Sequence, residues 1–273
     1  MSQQATTNYI DVNGIRTAYR RRGRADGPPL LLLQHFTGTM DNWDPAVVQA
    51  LAAERPLILL DNAGVGASHG QTPDNVDAMT AHVIAFVTAL DLQQVDLLGF
   101  SLGSFIAQQM AQRRPELLRK VIMVGGCPPG QGAATFHQVI AGVADKSGAD
   151  VLLQLFFTPS VASQALGQAF VQRLSFSGEH GPNPSEQVFA AQYQAIVAWC
   201  ESAFDDAALR AIPHPVLVVQ GSNDTMFPTP QSVRLFESLS NAQLSLYPDS
   251  GHASLFQYPA LFASQVNYFL SAQ

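Results

Sequence analysis

Six short apolar runs, at 30–34, 57–60, 95–100, 121–126, 216–221 and 244–247, alternate with longer stretches along this 273-residue chain. Where those stretches carry helical spacing, the alternation predicts a parallel sheet, because parallel neighbours need a crossover and a helix usually supplies it. Asp44-Pro45 provides an N-cap and an N1 proline for a helix running to about residue 53. Val76, Met79, Val83, Phe86, Val87 and Leu90 form one apolar stripe, and Leu102, Phe105, Ile106 and Met110 another, which Arg114-Pro115 ends. Ahead of this rhythm, segments 9–12 and 15–20 flank Asn13-Gly14, a dipeptide that supplies the positive φ angles of a tight antiparallel hairpin. The expected fold class is therefore α/β: a mostly parallel central sheet flanked by helices.

The strand rhythm disappears between 130 and 212. Helical segments rich in Leu and Phe take its place at 151–157, 165–176 and 187–199, with a polar, proline-containing loop at 178–184. Pro213 and Pro215 then return the chain to strand. The expected organisation is a core formed by 1–129 and 213–273, with 130–212 inserted as a helical cap. The length suits one large domain with a sizeable core, and no Gly/Ser linker or repeat divides it.

A net charge of −7 and a pI near 5.4 argue against a nucleic-acid partner, which would call for clustered Lys and Arg. The one basic cluster, Arg20, Arg21, Arg22 and Arg24, reads as a solvated turn beside the hairpin. Apolar runs of strand length fall far short of the ~20 residues that span a bilayer, so no membrane association is expected. The first residues have neither the basic nor the apolar region of a secretory leader, which makes cytoplasmic location the expectation. Cys127 and Cys200 lack ligand spacing and read as free thiols in packed positions, with no metal and no cofactor implied. A small-molecule substrate is the expected partner, and the sequence leaves a homodimer open.

Chemistry concentrates where the run at 95–100 meets the next helical stripe. Gly99-Phe100-Ser101-Leu102-Gly103 is a G-x-S-x-G, a pattern that chance produces in about one chain in ten of this length, so its context decides its meaning. On a sharp strand-to-helix turn a serine hydroxyl stands above the sheet, and the flanking glycines permit the close backbone approach. A hydroxyl attacks a carbonyl only if a base takes its proton, and a carboxylate must orient that base. Asp224 follows the run at 216–221 and His252 follows the run at 244–247, both at strand carboxyl ends, where open α/β sheets gather their ligands. Asp249, three residues before His252, competes with Asp224 for the orienting role.

With these motifs in place the chain resembles the α/β-hydrolase superfamily, in its serine esterase, lactonase and perhydrolase-like branch, over nearly its whole length. Gly221-x-x-Asp224-x-x-x-Pro228 is similar to the family's acid loop, Gly251-His252 to its histidine loop, and Asp61-x-x-Gly64-x-Gly66-x-Ser68 to its turn after the second parallel strand. Ala63 stands where that turn usually carries arginine. Gln34-His35-Phe36-Thr37-Gly38 aligns with the oxyanion loop, but Gln34 replaces the usual His and His35 the usual Gly. The resemblance implies a Ser101, Asp224 and His252 triad, with the backbone N–H groups of Phe36 and Leu102 as the oxyanion hole. Gln34, His35, Phe156 and Phe157 are the candidate pocket residues. The implied activity is metal-independent hydrolysis of a small, mostly apolar ester, thioester or lactone. Carbon–carbon bond hydrolysis and a cofactor-free perhydrolase or haloperoxidase-like reaction are alternatives with the same residues. A hydrolase-fold ligand receptor with little turnover is the alternative of another class.

Overall fold

The computed structural model describes residues 6–176 and 184–272. The first five residues, on which the leader reading mostly rests, and 178–183 of the expected polar loop lie outside the described residues. In chain order the strands are β1 (Asn8–Val12), β2 (Ile15–Gly23), β3 (Leu30–Leu33), β4 (Pro56–Leu60), β5 (Val95–Phe100), β6 (Leu118–Val124), β7 (Val216–Gly221) and β8 (Ala242–Tyr247). The α-helices are α1 (Pro45–Ala52), α2 (Val76–Ala89), α3 (Leu102–Arg113), α4 (Ala133–Ala141), α5 (Ala149–Phe156) and α6 (Val161–Phe176). They continue with α7 (Glu186–Glu201), α8 (Asp206–Arg210), α9 (Thr229–Ser238), α10 (Ser254–Gln257) and α11 (Pro259–Ser271). All eight strands join one sheet in the order β1-β2-β4-β3-β5-β6-β7-β8. The β1/β2 and β2/β4 pairs are antiparallel and every later pair is parallel, as the alternation predicts.

Period-two alternation divides the core into two layers. Leu31, Leu97, Val121, Met123 and Val218 face one side, against Val83 and Phe86 of α2 and Phe105 and Met110 of α3. Leu30, Leu32, Leu98, Ile122 and Val219 face the other, against Leu51 of α1 and Phe262 and Val266 of α11. Strands covered on both faces need near-continuous apolar sequence, which explains the uninterrupted burial of β3, β5 and β7. Asp44 caps α1 as read from the sequence, accepting from the Ala46 N–H at 2.8 Å. Among the described residues no helix is long and apolar enough to cross a membrane.

Three expectations need correction. The arginine cluster is no turn: Arg20, Arg21 and Arg22 continue β2 in register with β4. Arg20 is largely buried and pairs with Asp41, which takes up its charge, while Arg21 and Arg24 are exposed, with Arg21 5.9 Å from the Tyr19 ring centroid. The strand expected at 121–126 is β6 instead, which starts earlier and stops at Val124, because Gly125 turns to φ +59°. Five helices, α4 to α8, separate β6 from β7, two more than the spacing at 151–199 suggested. Both additions, α4 and α8, are short, of nine and five residues, too brief for a clear periodic signal.

Candidate active site

β5 ends in a turn that a side chain on either flanking glycine would block. A Cβ on Gly99 would lie 2.1 Å from the Gly103 carbonyl oxygen, and one on Gly103 would lie 2.3 Å from that of Leu33. Between them Ser101 takes φ +56° and ψ −116°, outside the ordinary range for a residue with a side chain. Its amide is held by the Val124 carbonyl at 2.8 Å, and its own carbonyl accepts from Ser104 at 2.8 Å. Ser101 occupies the N-cap position of α3, yet its side chain makes no capping hydrogen bond. A serine before a helix normally stabilises it by such a bond.

His252 is almost wholly buried, and its Nδ1 lies 2.8 Å from Asp224 Oδ2. A carboxylate oxygen accepts, so Nδ1 carries the proton and Nε2 presents its lone pair. That Nε2 is buried with no hydrogen-bond partner among the described residues. Asp224 is fixed by its own loop: Oδ1 accepts from the Met226 N–H at 2.8 Å and the Phe227 N–H at 3.1 Å. Gln220 Nε2 donates to Oδ2 at 2.9 Å, and to the Phe227 carbonyl at 2.6 Å. Asp249 faces elsewhere, accepting from the Thr158 and Ser160 hydroxyls, each at 2.6 Å. Those hydroxyls hold the Asp249 carboxyl below its ordinary pKa. The imidazole thus meets Asp224, while Asp249 is engaged by the two hydroxyls.

Ser101 and His252 line one cavity of about 410 Å³, whose other walls include Phe36, Ile140, Leu152, Leu155, Phe156 and Phe189. Among the described residues, Lys146 is the only lysine, arginine, aspartate or glutamate lining it. A cleft of about 500 Å³ shares Leu155 and reaches Asp224, but Ser101 and His252 do not line it. Phe36 and Leu102 carry amides that make no hydrogen bond among the described residues. Around them the 34–38 loop is pinned: Gly103 N–H donates to the Gln34 carbonyl at 3.1 Å, and Gly38 N–H to the His35 carbonyl at 2.9 Å. Thr37, at φ +61°, donates its N–H to Gln192 Oε1 of α7 at 2.5 Å.

Of the four candidate pocket residues, His35 and Phe156 line the cavity while Gln34 and Phe157 do not. Gln34 is turned back on its own strand end, its Oε1 accepting from the His35 N–H at 3.0 Å. Phe157 follows α5 in extended conformation and packs on α6, with its ring 5.8 Å from that of Phe170. Sequence reading also passed over Gln220 and Gln192. A buried glutamine just before the acid loop was the available signal for the first; the second is specified only by tertiary contact. Both cysteines are buried free thiols, and burial pushes the Cys127 thiol well above its ordinary pKa. Among the described residues no cluster of His, Cys, Asp and Glu is arranged to hold a metal ion.

A family profile described as alpha/beta hydrolase fold matches residues 28–259. The chain belongs to that family. Similar to this hydrolase is a 2-hydroxymuconate semialdehyde hydrolase of Pseudomonas sp. (strain CF600), 30% identical over 269 residues, covering 94% of this chain and 91% of the relative. A putative carbamate hydrolase RutD of Rhizobium rhizogenes (strain K84 / ATCC BAA-868) is 30% identical over 259 residues, covering 92% and 95% of the two chains. Among solved structures, an alpha/beta hydrolase fold protein from Chitinophaga pinensis superposes with a TM-score of 0.94 at 46% identity, over 98% of each chain. The family and these relatives identify the protein as an enzyme of the hydrolase class.

Proposed function

We propose that this enzyme is a serine hydrolase that cleaves a small, mostly apolar carboxylic ester, thioester or lactone through an acyl-enzyme. The observation that carries the reading is that Ser101, on its strained turn, shares one cavity with His252, whose Nδ1 meets Asp224 at 2.8 Å. His252 Nε2 takes the Ser101 proton as Oγ attacks the carbonyl, and Asp224 offsets the imidazolium charge. The unengaged amides of Phe36 and Leu102 donate to the tetrahedral oxyanion, an interaction whose loss typically costs ~10²- to 10³-fold in kcat. His252 then returns its proton to the leaving oxygen or sulfur. It activates the water that releases the acid, restoring Ser101. No step calls on a metal or cofactor.

The apolar walls support the substrate class, since a hydrocarbon acyl chain would bury itself against Ile140, Leu152 and Phe189. Those residues come from the 130–212 segment, which supports its role as a cap over a core of 1–129 and 213–273. Cytoplasmic location and a small-molecule substrate without nucleic-acid or membrane partners complete the reading; whether the enzyme dimerises is a matter for sedimentation. The semialdehyde hydrolase among its relatives favours one second reading, carbon–carbon bond hydrolysis with the same residues.

A fluorophosphonate probe tests the mechanism: covalent labelling is expected in the native enzyme and lost in Ser101→Ala. Folded native protein that resists the probe would overturn the reading. Product analysis across esters, lactones and ketones separates the two reactions.

A further inference from the structure

Of the buried side-chain polar atoms that find no partner among the described residues, two belong to residues lining the cavity: His252 Nε2 and His35 Nε2. The first is accounted for by the Ser101 proton under the function proposed above. The second is not. An unsatisfied buried group calls for an explanation, since most such groups are bonded to protein or water.

The chemistry of His35 Nε2 is fixed by its other nitrogen. His35 Nδ1 lies 2.8 Å from the Phe36 carbonyl oxygen. A carbonyl only accepts, so Nδ1 carries the proton and Nε2 is a lone-pair acceptor. Burial pushes the His35 pKa down to about 4, so the ring stays neutral near pH 7 and Nε2 acquires no second proton. Packing prevents the ring from turning away. Phe100 and Phe156 meet it edge-on at 5.3 and 5.2 Å, and a Cβ on Gly38 would approach its atoms to 3.0 Å. His35 is thus a rigid hydrogen-bond acceptor in a largely apolar cavity.

Its position selects which part of a substrate it can reach. The peptide N–H of Phe36, the amide assigned above to the carbonyl oxygen, is joined directly to the His35 carbonyl carbon. On the other side, His35 and His252 share the same two aromatic supports, His252 lying 5.2 Å from Phe100 and 6.2 Å from Phe156. An acyl group attacked by Ser101, with its oxygen on the Phe36 N–H, would thus hold its carbonyl in the cavity that the His35 ring lines. A lone pair there repels another acceptor and welcomes a donor.

We infer that His35 Nε2 accepts a hydrogen bond from the substrate, so that the preferred acyl compounds carry a hydroxyl or N–H on the atom next to the scissile carbonyl. This narrows the substrate class of the serine hydrolase and rests on that reading. The donor keeps its proton throughout, and the acyl-transfer chemistry is unchanged.

The test compares p-nitrophenyl esters of 2-hydroxypropanoate, 2-methoxypropanoate and propanoate, each rate corrected for its reaction with hydroxide. A parallel pair, the 2-acetamido and N-methylacetamido esters, separates N–H from O–H donors. At least one donor ester should exceed its donorless partners about tenfold or more in kcat/KM, since a site built around a hydrogen bond rejects analogues that cannot make it. In His35→Phe that ratio should fall to about one, because the Nε2 acceptor is gone, while the lost Nδ1 bond to the Phe36 carbonyl affects every ester alike. Equal corrected rates for all esters in the native enzyme would overturn the inference while leaving the serine hydrolase reading intact. If no ester is turned over, that reading fails first, and binding decides the inference separately. In Ser101→Ala, the ¹⁵N resonance of His35 Nε2 should move upfield on adding a saturating donor ester and stay still with the propanoate ester. An unmoved resonance with every donor ester would overturn it, whether or not His35→Phe folds.

Discussion

Gln220 Nε2 donates to Asp224 Oδ2 at 2.9 Å, the same oxygen that His252 Nδ1 meets at 2.8 Å. The carboxylate thus divides one oxygen between the imidazole and a buried amide. Gln220→Leu removes a donor that partly offsets the Asp224 charge, and lets the carboxyl rotate. On the order of tenfold in kcat should be lost, the value of one hydrogen bond to a charged group. An unchanged rate would remove Gln220 from the machinery.

Asp224 and Asp249 should separate sharply. Replacing the orienting acid by its amide costs ~10⁴-fold in kcat in the serine protease template, and Asp224→Asn should approach that loss. Asp249→Asn instead disturbs the Thr158 and Ser160 hydroxyls, at the junction of α5 and α6. It should lower thermal stability with at most about a threefold change in kcat, as expected of a group that does not touch the imidazole. Equal kinetic losses in the two variants would contradict this division.

His35 couples stability to pH. Burial drives its pKa to about 4 in the folded chain, against an ordinary value near 6.5 when unfolded. Between these values the unfolded chain binds a proton that the native chain refuses, so this contribution to stability grows as pH rises through the window and is lost as pH falls. The full window corresponds to about 3 kcal/mol. Asp61 works in the opposite direction, because burial raises its carboxyl to about 6 and the native chain holds the proton longer. Comparing the enzyme with His35→Phe cancels Asp61. The difference in urea unfolding free energy should widen by about 3 kcal/mol from pH 4 to pH 7. Parallel curves would show that the ring is not held neutral by burial.

Much of this architecture was legible because its signals are local. Five of the six apolar runs are strands buried on both faces, Asp44-Pro45 starts a helix through its own side chain, and Gly99 is dictated by its backbone contact with Gly103, four residues on. That Asp224 and His252 could meet was legible for a related reason: each lies in the loop after a strand whose carboxyl end is fixed by the sheet. What escaped depends on distant partners. Gln192 reaches Thr37 across 155 positions, and Asp41 draws Arg20 out of its expected solvent exposure. Phe156 and Phe157 are adjacent and chemically identical, yet one lines the cavity and the other packs on α6. Only the direction of α5 distinguishes them.

Arg173 supplies the last prediction, because α6 is tied to the core through it. Its Nε donates to Asp44 Oδ1 at 2.9 Å and its Nη2 to Asp44 Oδ2 at 2.6 Å, while the same carboxylate caps α1. Asp44 is fully buried, so Arg173→Met would strand its charge with little beyond the cap to satisfy it. Breaking a buried pair from one side typically costs 3–5 kcal/mol, and the partial exposure of Arg173 places this case near the lower end, about 3 kcal/mol. For a chain of this length that corresponds to a fall of roughly 6–10 °C in Tm. Asp44→Asn combined with Arg173→Met should recover part of the loss, since the neutral amide can still accept from the Ala46 N–H and no charge is left buried. Thermal unfolding followed by circular dichroism measures both effects. A single variant that melts with the native enzyme would mean that α6 is held by its other contacts, among them Phe170 stacked on Phe256 and the Ser163 hydroxyl on Gln257.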